Sequence, residues 1–295
     1  MSKELDLKST LSSRRIVGVW RMLKGYQGIY IAAFLCIGLA ALAQTLFYYL
    51  LRYYTDNVLG QPEASDQLLI VAAGFLLLAV FQGTFTFLGG RWATKTSESV
   101  IRRLRDYLYD HIQRLTFAYH DKTPTGDLIQ RSTSDVETLR RFFGEESVGL
   151  GRILFLFTVN FVGLLTLNVQ RALFSVVVVP IIVVISIYFF RMIGKRYEIF
   201  QEEEAKLSTT LQENLTGVRV VRAFARQEFE KDKFEVTNQG RYISGRRLLM
   251  LHALYWPSTD LIVGVQLVIG YAVGATMAIN GTITVGTFLA YMGML

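Results

Sequence analysis

The chain has 295 residues, 52% of them hydrophobic, and a mean hydropathy of +0.33, which is more apolar than one soluble core of this length requires. This composition excludes a disordered chain and favours a membrane protein. The single cysteine, Cys36, excludes an intrachain disulfide, and the three histidines lack metal-ligand spacing. The net charge of +7 fits either a nucleic acid or a membrane surface, so the positions of the basic residues must decide between them.

The N-terminal segment, residues 1–25, is polar and basic, which predicts a retained cytoplasmic segment rather than a cleaved signal peptide. Inside it, Ile16, Val19, Trp20 and Leu23 recur at helical spacing among basic residues. That pattern predicts a short amphipathic helix in the membrane interface.

Six apolar stretches follow, and each is predicted as a membrane span. A hydrocarbon core of about 30 Å needs roughly 20 helical residues. The connections between the stretches alternate between short and long, so the short ones lie on one side of the membrane and the long ones on the other. The stretches are residues 28–51, 68–90, 153–169, 172–190, 248–279 and a sixth that begins at Val285 and is still apolar at Leu295.

The basic residues give the orientation of these spans. Of the 31 Lys and Arg, Arg52 and Arg171 fall on the short-loop side and Arg152 at the inner edge of the third span, while all the others lie in the N-terminal segment or the long connections. The positive-inside rule therefore predicts a multi-pass integral membrane protein with a cytoplasmic N-terminus and cytoplasmic long connections. We expect the plasma membrane of a bacterium, contact with its lipids and no nucleic-acid partner.

The two long connections, residues 91–149 and 191–247, are predicted as helical hairpins that prolong the spans into the cytosol. Residues 91–119 contain no Gly or Pro, and a helix over residues 68–119 would be roughly 75 Å long. Ser134 and Glu137 fit a capping box at the start of the return limb. Oppositely charged residues recur four apart at Glu98 with Arg102, Arg102 with Asp106, and Asp110 with Arg114.

Each hairpin has a distinctive tip. In the first, Pro124 is a helix-start signal and Gly126 a local weak point within Thr123, Pro124, Thr125, Gly126, Asp127 and Leu128. In the second, residues 223–234 are rich in aromatic and charged side chains. Local chemistry alone allows either ordinary solvated helix turns or docking elements.

No catalytic motif is present. The sequence has no G-x-x-x-x-G-K-[ST] phosphate loop and no H-E-x-x-H zinc motif, so no catalytic or metal-binding residue is predicted. If ATP drives this protein, another domain or chain must bind it.

The two tips together resemble those of ATP-binding cassette (ABC) exporters of the six-span half-transporter type. The end of the chain, INGTITVGTFLAYMGML, is similar to the family's turn between spans five and six, so the resemblance covers nearly the whole chain. The first tip carries the T-G-D-L…R…D-V pattern at Thr125, Gly126, Asp127, Leu128, Arg131, Asp135 and Val136. The second carries the E-x-L-x-G-x-x-V-V-[KR]-A-F pattern at Glu213, Leu215, Gly217, Val220, Val221, Arg222, Ala223 and Phe224.

The resemblance implies an all-α membrane fold of six transmembrane helices with two long cytoplasmic hairpins, in a domain-swapped homodimer or heterodimer. Residues 13–23 would be an elbow helix, and residues 26–295 the transmembrane domain with its sixth span cut short. Two coupling helices would dock on nucleotide-binding domains: Thr123, Pro124, Thr125, Gly126, Asp127 and Leu128 in the first, and Ala225, Arg226, Gln227, Glu228, Phe229 and Glu230 in the second.

The resemblance also implies the cofactors. ATP and Mg²⁺ would bind to a nucleotide-binding domain, which in this family normally follows span six. This chain carries no ATPase site, so we expect it to be one piece of an ATP-hydrolysing translocase whose nucleotide-binding domain is either fused downstream or a separate chain.

Polar residues inside the spans are candidates for a substrate cavity. Asp260, three residues after Pro257, must face the bundle interior or water, because a carboxylate at membrane depth is costly. It serves either as an interhelix hydrogen-bond acceptor at the proline kink or as a substrate or proton site. The polar residues are equally explained as contacts between helices, and Tyr48 as part of an interfacial aromatic belt. The candidates are Gln44, Tyr48, Gln82, Asn160 and Asp260.

These features predict the membrane-spanning domain of an ATP-driven exporter that moves amphipathic or hydrophobic substrates outward by alternating access. Drugs, lipids and peptides all fit a large apolar cavity. The first alternative is a secondary transporter driven by an ion gradient, with Asp260 as the coupling site. The second is a membrane scaffold that transports nothing and whose hairpins merely bind a partner.

Overall fold

The computed structural model describes residues 15–59, 65–167, 173 and 176–294, and within these residues the chain is helical, without a strand. A π-helical turn, Phe142–Glu146, separates α6 from α7. The helices are α1 (Arg15–Met22), α2 (Gln27–Asn57), α3 (Ser65–Gln113), α4 (Phe117–Lys122), α5 (Thr125–Ser132), α6 (Ser134–Arg141), α7 (Ser147–Leu167), α8 (Val178–Ala223), α9 (Gln227–Ile279) and α10 (Val285–Met294).

The chain divides into two compact units. The first unit comprises Met1–Val169 and Met277–Leu295, and the second Gln170–Thr276. In the described part of the chain, five helical segments are long and apolar enough to cross a membrane: Gln27–Asn57, Gln67–Gln113, Thr125–Leu167, Val178–Ala223 and Gln227–Ile279. Helix α10 is a shorter apolar helix of 10 residues. The predicted all-α class with several long apolar helices is therefore confirmed, while the count of six spans stays a prediction.

In the first unit, α2 is the central helix and packs against α3, α7 and α10. Its buried face is rich in alanine, whose small side chain lets the backbones of neighbouring helices approach closely. Close packing of this kind stabilises contacts between membrane helices, because moving an apolar side chain from lipid into protein gains no hydrophobic free energy. Near the N-terminal end of α2, a cluster of buried residues joins four elements: Leu23, Tyr30, Ala33, Ala93, Val100 and Phe143.

Helix α1 is held against α3 by one arginine. Arg103 donates hydrogen bonds to the carbonyl oxygens of Met22 at 3.2 Å and Lys24 at 2.9 Å, and its guanidinium lies 4.7 Å from the ring centre of Tyr26. A cation suits this position because the last carbonyls of a helix have no partner within it. Of the predicted apolar face, Leu23 is buried and Trp20 is exposed, whereas Ser13 and the side chain of Ile16 lie outside the described residues; the interfacial role of this helix stays a prediction.

The first hairpin is built largely as predicted. Helix α3 is about 75 Å long at 1.5 Å per residue, but it ends at Gln113, before Tyr119. Asp110 pairs with Arg114 at 2.8 Å, as the spacing predicts, and this lowers the pKa of Asp110. Glu98 instead pairs with Arg140 on the return limb at 3.5 Å, so a charge expected to stabilise one helix stabilises the contact between two.

The return limb begins at Ser134, as predicted, but without the capping box. The residue at the N-cap is Thr133, and its side chain makes no capping hydrogen bond; its hydroxyl donates to the carbonyl of Ile129 instead. Glu137 accepts a 2.7 Å hydrogen bond from Arg140, and this bond is the main cause of the raised pKa of Arg140.

In the second unit, α8 and α9 form the second hairpin. Arg241 donates to Glu204 at 2.6 Å, and its guanidinium lies 5.3 Å from the centre of the Phe200 ring. In the predicted membrane-spanning parts of α8 and α9, the Tyr255 hydroxyl lies 3.0 Å from the Ser186 hydroxyl. The Tyr255 ring packs on the rings of Phe189 and Phe190. The hairpin is thus held together by charged contacts in its predicted cytoplasmic part and aromatic contacts in its apolar part.

Candidate functional site

The tip of the first hairpin is a short helix with an abrupt start. Thr123, after α4, and Pro124 are extended, and α5 begins at Thr125. The Asp127 amide donates to the Pro124 carbonyl at 3.0 Å, and the Asp127 carboxylate in the first turn suits the positive end of the helix. Asp127 is exposed and Leu128 half-buried. Of the six residues predicted for this coupling helix, the last four are helical and the first two form the bend before it.

The tip of the second hairpin is a sharp helix end. Ala225 has φ +51°, and the amides of Ala225 and Arg226 donate to the carbonyls of Arg222 at 3.2 Å and Val221 at 3.0 Å. This pair of bonds is the Schellman arrangement, which normally places glycine where Ala225 stands. Of the predicted second coupling segment, Ala225 and Arg226 form this bend. The other four residues, Gln227, Glu228, Phe229 and Glu230, form the first turn of α9.

The second bend exposes two aromatic rings. Phe224 and Phe229 are 74% and 60% exposed and flank an open groove of about 450 Å³, which Val220, Val221, Arg226 and Glu230 also line. On a predicted cytoplasmic surface these side chains are not covered by lipid, and exposed apolar patches of this kind are typical of sites that bind another protein or a ligand.

An ion pair joins the two limbs behind this bend. Lys233 of α9 donates to Glu213 of α8 at 3.0 Å, and both side chains are partly exposed. The hydrogen bond to Glu213, followed by its charge, raises the pKa of Lys233. The pair spans 20 residues of sequence and links α8 to α9 beside the bend.

In the first unit, a cavity of about 150 Å³ lies between α2, α3 and α7. Two predicted cavity residues meet there, because Gln82 Nε2 lies 3.5 Å from Gln44 Oε1. Thr86 and Arg152 complete its polar lining, and the rest is apolar. Its size admits several water molecules or a small polar group.

Two other predicted cavity residues contact neighbouring helices instead. Asn160 accepts a 2.7 Å hydrogen bond from Thr45, which links α7 to α2. The Tyr48 ring packs against Gly293 of α10, so closely that a side chain at Gly293 would overlap it. Neither residue lines the cavity of Gln44 and Gln82.

Asp260 belongs to the second unit. Pro257 lies inside α9, and the hydroxyls of Ser258 and Thr259 donate to carbonyls of the preceding turn. Asp260 lines an open apolar groove with Pro257, Leu261 and Gly264, and none of the residues that the structure describes donates a hydrogen bond to it. Its carboxylate is exposed on the surface of this unit.

Sequence patterns did not identify Arg152 and Thr86 as cavity residues. From the sequence, Arg152 lies at the inner edge of the third predicted span. An isolated cation at such a position is the one sequence feature that points to a cavity there. Thr86 had no signal, since a threonine in an apolar run commonly bonds its own helix.

The fold and the tips can be compared with known proteins. A family model described as the ABC transporter transmembrane region matches residues 30–295. The chain belongs to this family. The suspected resemblance is thereby confirmed, and with it the integral membrane character of the chain.

The chain is similar to several ABC transporter proteins, of which three are described. It is 28% identical over 237 residues to the uncharacterized ABC transporter ATP-binding protein YknV of Bacillus subtilis, covering 79% of this chain and 38% of that one. It is 26% identical to an ATP-dependent lipid A-core flippase of Desulfotalea psychrophila, over 90% of this chain and 46% of the flippase. It is 26% identical to a multidrug efflux ATP-binding/permease protein of Mycobacterium bovis, over 87% of this chain and 22% of that protein. The chain thus spans less than half the length of each.

Proposed function

We propose that this chain is the membrane-spanning domain of an ATP-driven exporter. In this proposal it moves amphipathic or hydrophobic molecules outward, and nucleotide-binding domains, fused to it or separate, supply the energy of ATP hydrolysis. The family match over residues 30–295 supports this class, as do the names of relatives that are flippases and multidrug efflux proteins.

The observation that carries the proposal is the exposed aromatic pair at the second tip. Phe224 and Phe229 lie on either side of a bend that is held by backbone hydrogen bonds and by the Lys233–Glu213 pair. A nucleotide-binding domain that grips this bend would push on two long helices rather than on a flexible loop. A stiff connection is required, because a loose one would absorb the movement.

The first tip supports a second contact with the same partner. Phe117 at the start of α4 and Ile129 on α5 are 90% and 58% exposed, again on a predicted cytoplasmic surface. We assign the docking role to Thr123–Leu128 at this tip and to Ala225–Glu230 at the other.

The movement itself is a shift between two populations, one open to the cytoplasm and one open to the outside. ATP must favour one of them by a few kcal/mol to change which is dominant. We propose that two such chains, identical or different, enclose the transport pathway, that the sixth span begins with α10, and that the cavity of Gln44, Gln82 and Arg152 opens to that pathway. Its polar lining suits a substrate with one polar end.

The experiment uses the full-length transporter in proteoliposomes. ATP-dependent movement of a fluorescent amphipathic dye and of a labelled phospholipid is measured beside ATP hydrolysis. The double variant Phe224→Ala, Phe229→Ala should retain hydrolysis and lose most transport. The matched control Tyr242→Ala removes an exposed aromatic side chain farther along α9 and should transport normally.

Two results would oppose the proposal. A transport rate that is independent of ATP but increases with an imposed proton gradient would favour an ion-driven transporter. Unchanged coupling in the double phenylalanine variant would remove the second tip as the docking site.

A further inference from the structure

A carboxylate of α2 caps the N-terminus of α10 at the predicted extracellular end of the first unit. Asp56 lies in the last turn of α2. Its Oδ1 accepts a 2.8 Å hydrogen bond from the Gly286 amide, and its Oδ2 accepts a 2.6 Å bond from the Thr284 hydroxyl. Arg52, one turn earlier on α2, places its Nε 3.7 Å from the same carboxylate.

These hydrogen bonds provide acceptors for backbone amides in the first turn of α10. The first amides of a helix have no partner within it. In α10, the Thr284 hydroxyl accepts from the Thr287 amide at 3.1 Å, while Asp56 takes the Gly286 amide. The negative carboxylate also lies at the positive end of the helix, where it is favoured. One residue from α2 and one from the start of α10 therefore share the capping of α10.

Gly286 makes this close approach possible. A Cβ at this position would lie 2.5 Å from the Arg52 carbonyl oxygen and 2.6 Å from the Asp56 carboxylate. Any other residue would push α2 and α10 apart. Because Asp56 and Thr284 are 228 residues apart in the chain, their contact does not follow from a short connection between the two helices.

We propose that Asp56, Thr284 and Gly286 form a latch that holds the predicted extracellular ends of α2 and α10 together and must open when the transporter opens outward. The proposal rests on the alternating access proposed above. A polar contact near the membrane surface suits this task, because water can replace each hydrogen bond as it breaks, so the net difference between the closed and open states is small.

Contacts deeper in the same unit differ in kind. Tyr49 donates to the Gly163 carbonyl at 2.8 Å, and Thr45 to Asn160 at 2.7 Å, between α2 and α7. Those groups belong to the predicted spans, whereas Asp56 and Thr284 lie beyond the span ends, where water replaces a broken hydrogen bond more readily. The contact between α2 and α10 at the latch should therefore open more easily than these contacts between α2 and α7.

The first test measures exposure of the interface behind the latch. The full-length transporter, with its other cysteines including Cys36 replaced, carries Ala290→Cys on α10, a position that is fully buried in this structure. This is the reference transporter. Its rate of modification by a membrane-impermeant thiol reagent from outside is measured in nanodiscs, without nucleotide and with ATP and vanadate.

Asp56→Ala should raise the nucleotide-free rate at least tenfold, because it removes the two charge-assisted hydrogen bonds that this carboxylate accepts. Thr284→Val should act in the same direction, and Thr284→Ser should restore the slow rate. The control Asn57→Ala removes a neighbouring side chain that, among the described residues, donates a hydrogen bond within α2 to the Tyr53 carbonyl, and it should leave the rate unchanged.

The second test closes the latch covalently. Asp56→Cys with Thr284→Cys, bridged by a short bifunctional methanethiosulfonate, should lose at least tenfold in transport and recover it on reduction. The control pair Tyr53→Cys with Asn57→Cys, bridged along α2 alone, should transport normally.

The outcomes separate the two proposals. If the reference transporter with Ala290→Cys reacts equally fast in both nucleotide states, alternating access itself fails. If it switches normally but Asp56→Ala and Thr284→Val behave like Asn57→Ala, or the bridged latch still transports, the latch is wrong and the exporter proposal stands.

Discussion

The hydroxyl of Tyr30 donates a 2.9 Å hydrogen bond to the carbonyl oxygen of Phe143. Phe143 lies in the π-helical turn between α6 and α7, where the usual helical hydrogen bonds are shifted by one residue. The Ser147 hydroxyl donates a 2.7 Å hydrogen bond to the neighbouring Phe142 carbonyl. The bulge is therefore held from outside by a side chain of α2, and Phe143 remains fully buried.

Tyr30→Phe should consequently destabilise the protein by about 1–3 kcal/mol, because a buried carbonyl loses its donor while the packing of the ring is kept. Thermal unfolding in detergent micelles measures the effect. Tyr53→Phe is the control, since Tyr53 is half exposed, and its loss of a hydroxyl should be nearly neutral. Equal stability of the two variants would show that Tyr30 does not hold the bulge.

Much of this fold could be predicted from sequence because the strongest signals are long and periodic. Five of the six apolar stretches overlap helical segments that are long and apolar enough to cross a membrane. The absence of Gly and Pro after residue 90 predicted that α3 is long, although α3 ends at Gln113 rather than at Tyr119. The end of α8 had no such signal: a Schellman bend normally carries glycine, and Ala225 stands there instead. The spacing predicted a pair of Glu98 with Arg102, but Glu98 pairs with Arg140. Ion pairs along one helix and ion pairs between helices cannot be distinguished by their sequence pattern.

The candidate site was harder to predict than the fold. Gln44 and Gln82 line one cavity, whereas Asn160 and Tyr48 contact neighbouring helices, and nothing in the local sequence distinguishes a cavity residue from a contact residue. The Asp56 network had no pattern at all, since it depends on bringing together two residues from opposite ends of the chain.

Gly126 at the first tip should matter to the partner rather than to the fold. A Cβ there meets nothing within 4 Å, so Gly126→Ala should stabilise α5 slightly, by about 0.5–1 kcal/mol. We expect it nevertheless to lower ATP-dependent transport at least tenfold, because a docked domain that contacts this glycine would meet the new methyl group. That fold-change corresponds to about 1.4 kcal/mol of lost coupling.

Gly149→Ala provides the comparison for Gly126→Ala. Gly149 also has open space around it but lies on α7, away from the tip, so its substitution should leave transport unchanged. Transport and hydrolysis are measured together in proteoliposomes. Normal transport by Gly126→Ala would mean that no partner surface comes close to this glycine.

Ala225 should tolerate glycine but not a branched residue. Its φ of +51° is costly for side chains and worst for β-branched ones, so Ala225→Val should destabilise the second hairpin by about 1–2 kcal/mol. Ala225→Gly should stay within about 1 kcal/mol of the parent, because relief of strain offsets the added freedom of the unfolded chain. Thermal unfolding compares the two, and similar midpoints would contradict the left-handed bend.

Gly293, like Gly286 on the same helix, should be hard to replace, because it packs against α2. Its Cα approaches the Tyr48 ring so closely that an added Cβ would overlap the ring, and overpacking of this kind costs about 1–3 kcal/mol. Gly293→Ala should therefore lower the unfolding temperature, while Gly83→Ala, in the open surroundings of α3, should raise it or leave it unchanged. If both variants unfold at the parent temperature, the close packing of α10 against α2 is not a feature of the protein in solution, and the latch above it would lose its support as well.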